Sequence, residues 1–293
     1  MKVLNEKKMG VIKKNVNILK IFTHKPDIKG WKGVLKYILK RVLFIFFASS
    51  IFMTILYRFV PVPVTPLMLI RNMEQLSDGK ELRIKKQWVP IEKISPEMVN
   101  AVVASEDNLF MSHWGFDFDA ISKAKKMNEK GKKVYGASTI SQQTAKNVFL
   151  WPSRTWVRKG LECYFTVLIE IFWPKKRIME VYLNVAETGD GIYGVEAASR
   201  HYYKKSADKL TQEQAALIAA SLPAPRRYNP ANPTSYIRSR QKRIIRLMKQ
   251  IGPVKLEKKG KETKQKGKST NTGQKAKGKA KSNTKNTERK AKK

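Results

Sequence analysis

The sequence predicts a mainly α protein, with one transmembrane helix followed by a helical domain of catalytic size. The apolar run VLFIFFASSIFMTILYRFV, from Val42 to Val60, has the length needed to cross a bilayer core. Beyond it, apolar residues recur at helical spacing behind Ser, Thr and Pro start signals. With 293 residues, 42% of them apolar, the chain can bury one core of about 150 to 200 residues plus appendages.

The span is framed on both sides. Lys40 and Arg41 stand at its start, Pro61 and Pro63 follow it, and Arg58 is near enough to its far end to reach the interface. It lacks a polar face, which argues against a buried core helix. The long basic leader before it, and the lack of a small-residue cleavage site after it, argue against a removed signal peptide. Lys32, Lys36, Lys40 and Arg41 place residues 1–41 on the cytoplasmic side by the positive-inside rule. The domain expected over 61–252 then lies outside, in single-pass topology on the cytoplasmic membrane. An exported enzyme has no ATP at hand, so its substrate must carry its own activation.

The formal net charge of +37 is concentrated in segments that do not belong to a core. The stretch 253–293 is almost wholly Lys, Gly, Ser, Thr, Asn and Gln, the composition of a disordered tail. Without interleaved aromatic residues it has no stacking platform for single strands, and it reads as an electrostatic tether rather than a specific nucleic-acid binder. Cys163 is the only cysteine, so no intramolecular disulfide forms. His24, His113 and His201 are too scattered in sequence to suggest a zinc site.

The first helix of the domain starts at Ser95 as N-cap and Pro96 as first helical residue, with Ile94 as a staple and Met98, Val99, Val102 and Val103 as its apolar stripe. It runs out near Glu106. A carboxylate there faces the negative end of the helix dipole, a poor place for a structural residue and a useful one for a general base. In GASTISQQTAKN, 136–147, Gly136 allows a turn and Ser138 is the expected cap. Thr139, Gln142, Gln143 and Lys146 then share one face, while Ile140 and Val148 hold the helix to the core. Such a face suits a ligand rich in hydroxyl, amide and phosphate groups.

A third helix is expected from Ser153 through RTWVRKGLECYFTVLIEIFW to a stop at Pro174. Arg154, Arg158 and Glu162 fall at successive i, i+4 positions with Lys159 beside them. Cations crowd the end of a helix that attracts anions, which makes sense if a phosphate or diphosphate binds there. The plainer alternative is a surface Arg-Glu ladder, but Glu162 sits just before an apolar stretch.

The motifs EDNLFMSHWGFD (106–117), GASTISQQTAKN (136–147), RKGLE (158–162), KKRIMEVYLN (175–184) and GDGIYGVEAAS (189–199) resemble, in order, those of the peptidoglycan glycosyltransferases. This family includes the glycan-polymerising domain of class A penicillin-binding proteins. After the Arg-rich helix expected over 235–250 only the Lys-rich tail remains, so the expectation is the monofunctional biosynthetic branch; AALIAASLPAPRRYNP, 215–230, is similar to the end of that domain.

The resemblance implies a lysozyme-like fold with a smaller mobile lobe beside the membrane. The substrates it implies are lipid II and the growing glycan strand. Glu106 is implied as the general base and Lys146, Arg158 and Lys159 as the groups that neutralise the leaving diphosphate. Glu162 either orients those cations or holds a divalent ion such as Mg²⁺; no other cofactor is implied. Asp107, Phe110 and His113 complete the first motif as substrate-binding residues, and Ser138, Thr139, Gln142, Gln143 and Asn147 position sugar and phosphate oxygens. Expected partners are the bacterial membrane and other cell-wall synthesis proteins. The stretch 116–135 is more basic than a lipid-embedded lobe requires and suits anionic headgroups.

Two readings from other classes compete. A membrane-bound lytic glycosidase would share the fold and Glu106 but has no need of the cation cluster. A non-enzymatic polyanion-binding membrane protein would need only the basic tail and helix.

Overall fold

The computed structural model describes residues 30–79, 81–129, 131 and 136–256. The leader up to residue 29, the end of the basic 116–135 stretch and the Lys-rich tail from 257 lie outside the described residues. Among the described residues there are ten α-helices and one small three-stranded sheet, a mainly α protein as predicted.

Helix α1, Gly30–Phe59, is the one helix among the described residues long and apolar enough to cross a membrane. It starts twelve residues before the predicted span, because GWKGVLKYILKR contains nothing that stops a helix. Its 30 residues are about 45 Å long, more than the roughly 30 Å of a hydrocarbon core, so its first turns can carry Lys32, Lys36 and Lys40 beyond the apolar region.

The expectation of a span with no polar face needs one amendment. Ser50 and Thr54 are buried against the domain. Ser50 Oγ pairs with Tyr164 Oη at 2.7 Å, and Trp173 Nε1 donates to the Thr54 carbonyl at 2.7 Å. The Arg177 guanidinium donates from Nε and Nη2 to the Tyr57 carbonyl at 3.0 and 2.8 Å, and from Nη2 to that of Val60.

The core is built around α3, Pro96–Glu106. Ser95 caps it by accepting from the Glu97 N–H, and donates its own hydroxyl to the Leu210 carbonyl. Met98, Val99, Ala101, Val102, Val103 and Ala104 are buried. They pack on α9, Gln212–Ser221, whose small residues from Ala215 to Ser221 are buried all round, and on α10, Ser235–Ile251. Helix α10 inserts Ile237, Ile244 and Met248 and leaves Arg238, Lys242, Arg243 and Arg246 exposed. The domain continues past the expected boundary at 252, since the Val254 N–H donates to Asn100 Oδ1 at 2.9 Å.

On the other side, α5 (Ile140–Phe149) packs between α6 (Trp156–Phe172) and α7 (Lys175–Val185), with α2 (Pro66–Ser77) against it. Helix α4, Phe118–Glu129, buries no residue. The sheet pairs β1 (Lys85–Lys86) parallel to β3 (Ile192–Tyr193), and β2 (Glu187–Gly189) antiparallel to β3. Gly191 makes this pairing possible: its φ is +69°, and a Cβ there would lie 2.2 Å from the Arg83 carbonyl oxygen. Helix α8, Val195–Tyr203, follows at once.

Replacing Arg177 by Ala strips the last turn of α1 of its guanidinium partner. Hydrogen bonds from charged groups contribute roughly 1.5 to 3 kcal/mol. The thermal midpoint of the full chain in detergent is expected to fall by several degrees, with faster protease cleavage between Val60 and Pro66. An unchanged midpoint and cleavage rate would show that α1 is held by other contacts.

Candidate active site

Glu106 ends α3 with its side chain 13% exposed. Its Oε2 accepts from Gln143 Nε2 at 3.0 Å and its Oε1 from Ser105 Oγ at 3.1 Å, while Arg240 Nη2 stands 3.6 Å from Oε1. Gln143 is itself oriented, because the Tyr182 hydroxyl donates to its Oε1 at 3.2 Å. The carboxylate is therefore aimed by a three-residue chain running from α7 through α5 to the end of α3.

Helix α5 owes its position to Asp107. One Asp107 oxygen accepts from the N–H of Ile140, the first residue of α5, at 3.0 Å; the other pairs with His113 Nε2 at 2.9 Å. Thr139, not the exposed Ser138, caps this helix. Thr139 and Gln142 form a reciprocal capping box, and Thr139 Oγ1 also donates to the Gly115 carbonyl at 2.6 Å.

These contacts place several of the expected site residues within the fold. Thr139 and Gln142 are buried, and Thr139 Oγ1 and Gln142 Oε1 are engaged in building the start of α5. Asp107 and His113 are tied to each other. Phe110 is fully buried in the core with the Lys175 ammonium 4.6 Å from its ring centroid. Ser138 lies outside the helix.

The remaining polar face of α5 is shared. Gln143 reaches Glu106, and Lys146, one turn on, enters the cation cluster. Helix α6 begins at Trp156 behind its cap Thr155, so Arg154 precedes the helix instead of opening its ladder. Arg158 and Lys159 each engage a different oxygen of Glu162, whose side chain is 4% exposed. Arg158 Nε is buried with no hydrogen-bond partner. Burial holds the Lys146 ammonium below its usual proton affinity; Glu162 opposes that shift, Arg158 and Lys159 add to it, and Glu106 opposes it again. Lys146 thus feels both carboxylates. Gln143, Lys146, Asn147, Arg154 and Arg158 line one cleft of about 580 Å³, together with Arg71 and Glu187.

The donor set does not fit a divalent ion at Glu162. Both carboxylate oxygens already hold cations, and no group of three His, Cys, Asp or Glu side chains lies together among the described residues.

Arg240, Tyr182, Arg71 and Glu187 escaped the sequence reading. Arg240 stands on the expected Arg-rich helix and Tyr182 within a quoted motif, but nothing local marks either as a neighbour of Glu106 or Gln143.

Comparison with known proteins agrees with the geometry. The family model described as transglycosylase matches residues 73–249. The biosynthetic peptidoglycan transglycosylase of Bdellovibrio bacteriovorus is 58% identical over 215 residues, 73% of this chain and 86% of the relative. That of Bacteroides thetaiotaomicron is 57% identical over 217 residues, 74% and 87% of the two chains, and that of Shewanella oneidensis 50% over 231 residues, 79% and 98%. With more than half of its length matched by the family model and relatives covered almost end to end, the chain belongs to the transglycosylase family.

Proposed function

We propose that the cleft polymerises lipid II into glycan strands, with Glu106 as general base and Lys146, Arg158 and Lys159 as receivers of the departing diphosphate. The chain is a peptidoglycan glycosyltransferase of cell-wall synthesis, as its relatives are named. The observation that carries the mechanism is the shared face of α5: Gln143, which holds Glu106, and Lys146 line one cleft with Arg158, and Lys146 feels the charges of both Glu162 and Glu106.

In this reading the Glu106 carboxylate takes the proton of the 4-hydroxyl on the acceptor sugar. The freed oxygen attacks the anomeric carbon of the growing strand's reducing-end sugar, and the bond from that carbon to the diphosphate oxygen breaks, inverting the centre. Electrons leave with undecaprenyl pyrophosphate, whose new charge is met by fixed cations. A diphosphate is already a good leaving group, so positive charge replaces the acid that a glycosidase requires. Glu162 holds Arg158 and Lys159 in place and lowers their mutual repulsion. Helix α1 anchors the domain beside its membrane-borne substrate, with the leader cytoplasmic and the domain outside.

Glu106→Gln keeps size and hydrogen bonding but removes the base. With purified protein and labelled lipid II, polymer formation is expected to fall by roughly 10²- to 10⁴-fold while lipid II binding persists. Near-normal polymer would reject the assignment, and cleavage of finished peptidoglycan in place of polymer would select the lytic alternative.

Lys146 supplies a pH signature. Its cation is present at low pH and is lost as pH rises through a value lowered by burial from the ordinary 10.5. The alkaline limb of kcat/KM, which reports the free enzyme, is therefore expected below 10.5 and should move upward in Lys146→Arg. A limb that stays in place in the variant would remove Lys146 from charge neutralisation.

A further inference from the structure

Helix α10 carries a row of cations that begins beside Glu106. Arg240, Arg243, Arg246 and Lys249 recur every three residues, and Arg240 Nη2 stands 3.6 Å from Glu106 Oε1. Three residues fall short of a full helical turn by about 60°, so the row winds from the Glu106 side of α10 onto its outer face over about 13 Å of axis. Arg243, Arg246 and Lys249 are exposed there, and Arg238 and Lys242 beside them are exposed too.

The helix itself holds no acidic residue, and among the described residues Arg238, Lys242, Arg243 and Arg246 pair with no carboxylate. Lys249, at the far end of the row, acts on the Glu213 carboxylate of α9. Like charges three and four residues apart destabilise a helix, and cations at its start oppose the dipole. A face kept for solubility alone would intersperse acids with these bases. A partner with several separated negative charges offsets the repulsion. Position argues against lipid headgroups, since α1 docks on α6 whereas α10 packs on α3 and α9. Tyr236, half exposed one turn before Arg240, lies 5.7 Å from the Tyr228 ring, and the Arg227 guanidinium is 5.4 Å from the same ring. Aromatic faces beside guanidinium groups suit a peptide with carboxylates better than a bare phosphate.

We infer that the outer face of α10 is a docking surface for the acidic peptide carried by the sugar that reacts at Glu106, with the peptide carboxylates pairing with Arg243 and Arg246. This rests on the glycosyltransferase reading, in which each disaccharide unit of lipid II bears a short peptide with free carboxylates. Neither Arg243 nor Arg246 lines the cleft. The surface makes and breaks no bond; it draws the peptide-bearing part of the substrate toward Glu106 and holds it there.

The test follows polymer formation by the full chain in neutral detergent from two substrates, lipid II and lipid II whose peptide carboxylates are converted to amides. In the double variant Arg243→Gln/Arg246→Gln, KM for lipid II is expected to rise about two- to twentyfold, the loss of two exposed ion pairs, with kcat kept within about twofold. The amidated substrate should show the raised KM with the native chain and no further rise with the variant. Arg246→Glu alone should raise KM for lipid II at least as much, and it decides the matter if the double variant fails to fold by circular dichroism. A KM unmoved by either substitution, an equal rise on both substrates, or amidation that changes kcat rather than KM overturns the docking surface. The comparison is repeated in vesicles with and without anionic phospholipid; a defect that appears only with anionic lipid and ignores amidation assigns the face to headgroups and also overturns it. Polymer from the native chain alongside any of these results discards the surface alone, and no polymer from either substrate discards the glycosyltransferase reading.

Discussion

The Asp107 carboxylate ties the end of one helix to the beginning of another, and the site geometry descends from that contact. It follows Glu106 directly in the chain and accepts from the first N–H of α5, so Glu106 and the helix that orients it are fixed by adjacent residues. A carboxylate at a helix N-terminus is favoured by both the dipole and the unsatisfied N–H groups. His113 holds its other oxygen, and Thr139 ties the same helix start to Gly115. Loss of one such buried contact costs on the order of 1 to 3 kcal/mol. Here the larger consequence is a change in where Gln143 and Lys146 point.

Once α5 is placed, its polar face divides into two functions. Thr139 and Gln142 are consumed by the capping box. Gln143 and Lys146, a turn further on, face outward to Glu106 and to the cations of α6. Charge at that end is held in deliberate imbalance. Glu162 accompanies Arg158 and Lys159 into a partly buried place where like charges alone would repel, yet one carboxylate does not neutralise them. A buried cation cluster left in excess is costly for stability and useful for an anionic leaving group.

Local signals were legible in the chain, and distant ones were not. The Ser95-Pro96 start and the stop near Glu106 are encoded within a few residues, and the helix obeys them. The α5 cap was missed by one residue because Ser138 and Thr139 are both good caps. The spacing of Thr139 to Gln142 is the box that decides between them. A motif does not reveal which of its members face inward, as Phe110 and Asp107 do. Arg240 approaches Glu106 from a helix more than a hundred residues away, and Arg71 meets Glu187 across a similar separation. Such pairs are products of packing, and no periodicity or cap announces them.

The same packing joins the span to the chemistry. Helix α6 carries Arg158, Lys159 and Glu162 near its start and, just beyond Glu162, Tyr164 against Ser50, Phe46 and Phe47 of α1. The Ser50 hydroxyl and the Thr54 carbonyl of α1 meet hydrogen-bonding partners on the domain, which makes α1 a docked element rather than a loose tether. The α6 surface left uncovered is apolar: Trp156 is 91% exposed and Val157 72%, with Val167 and Ile171 also open. On a helix that already packs against a candidate membrane span, such residues suit lipid better than water. Arg158 follows directly after Trp156 and Val157. A substrate of the kind proposed, with a hydrocarbon anchor and a diphosphate head, would meet there apolar surface giving way within one residue to fixed positive charge, which a helix with exposed cations along its whole length would not supply.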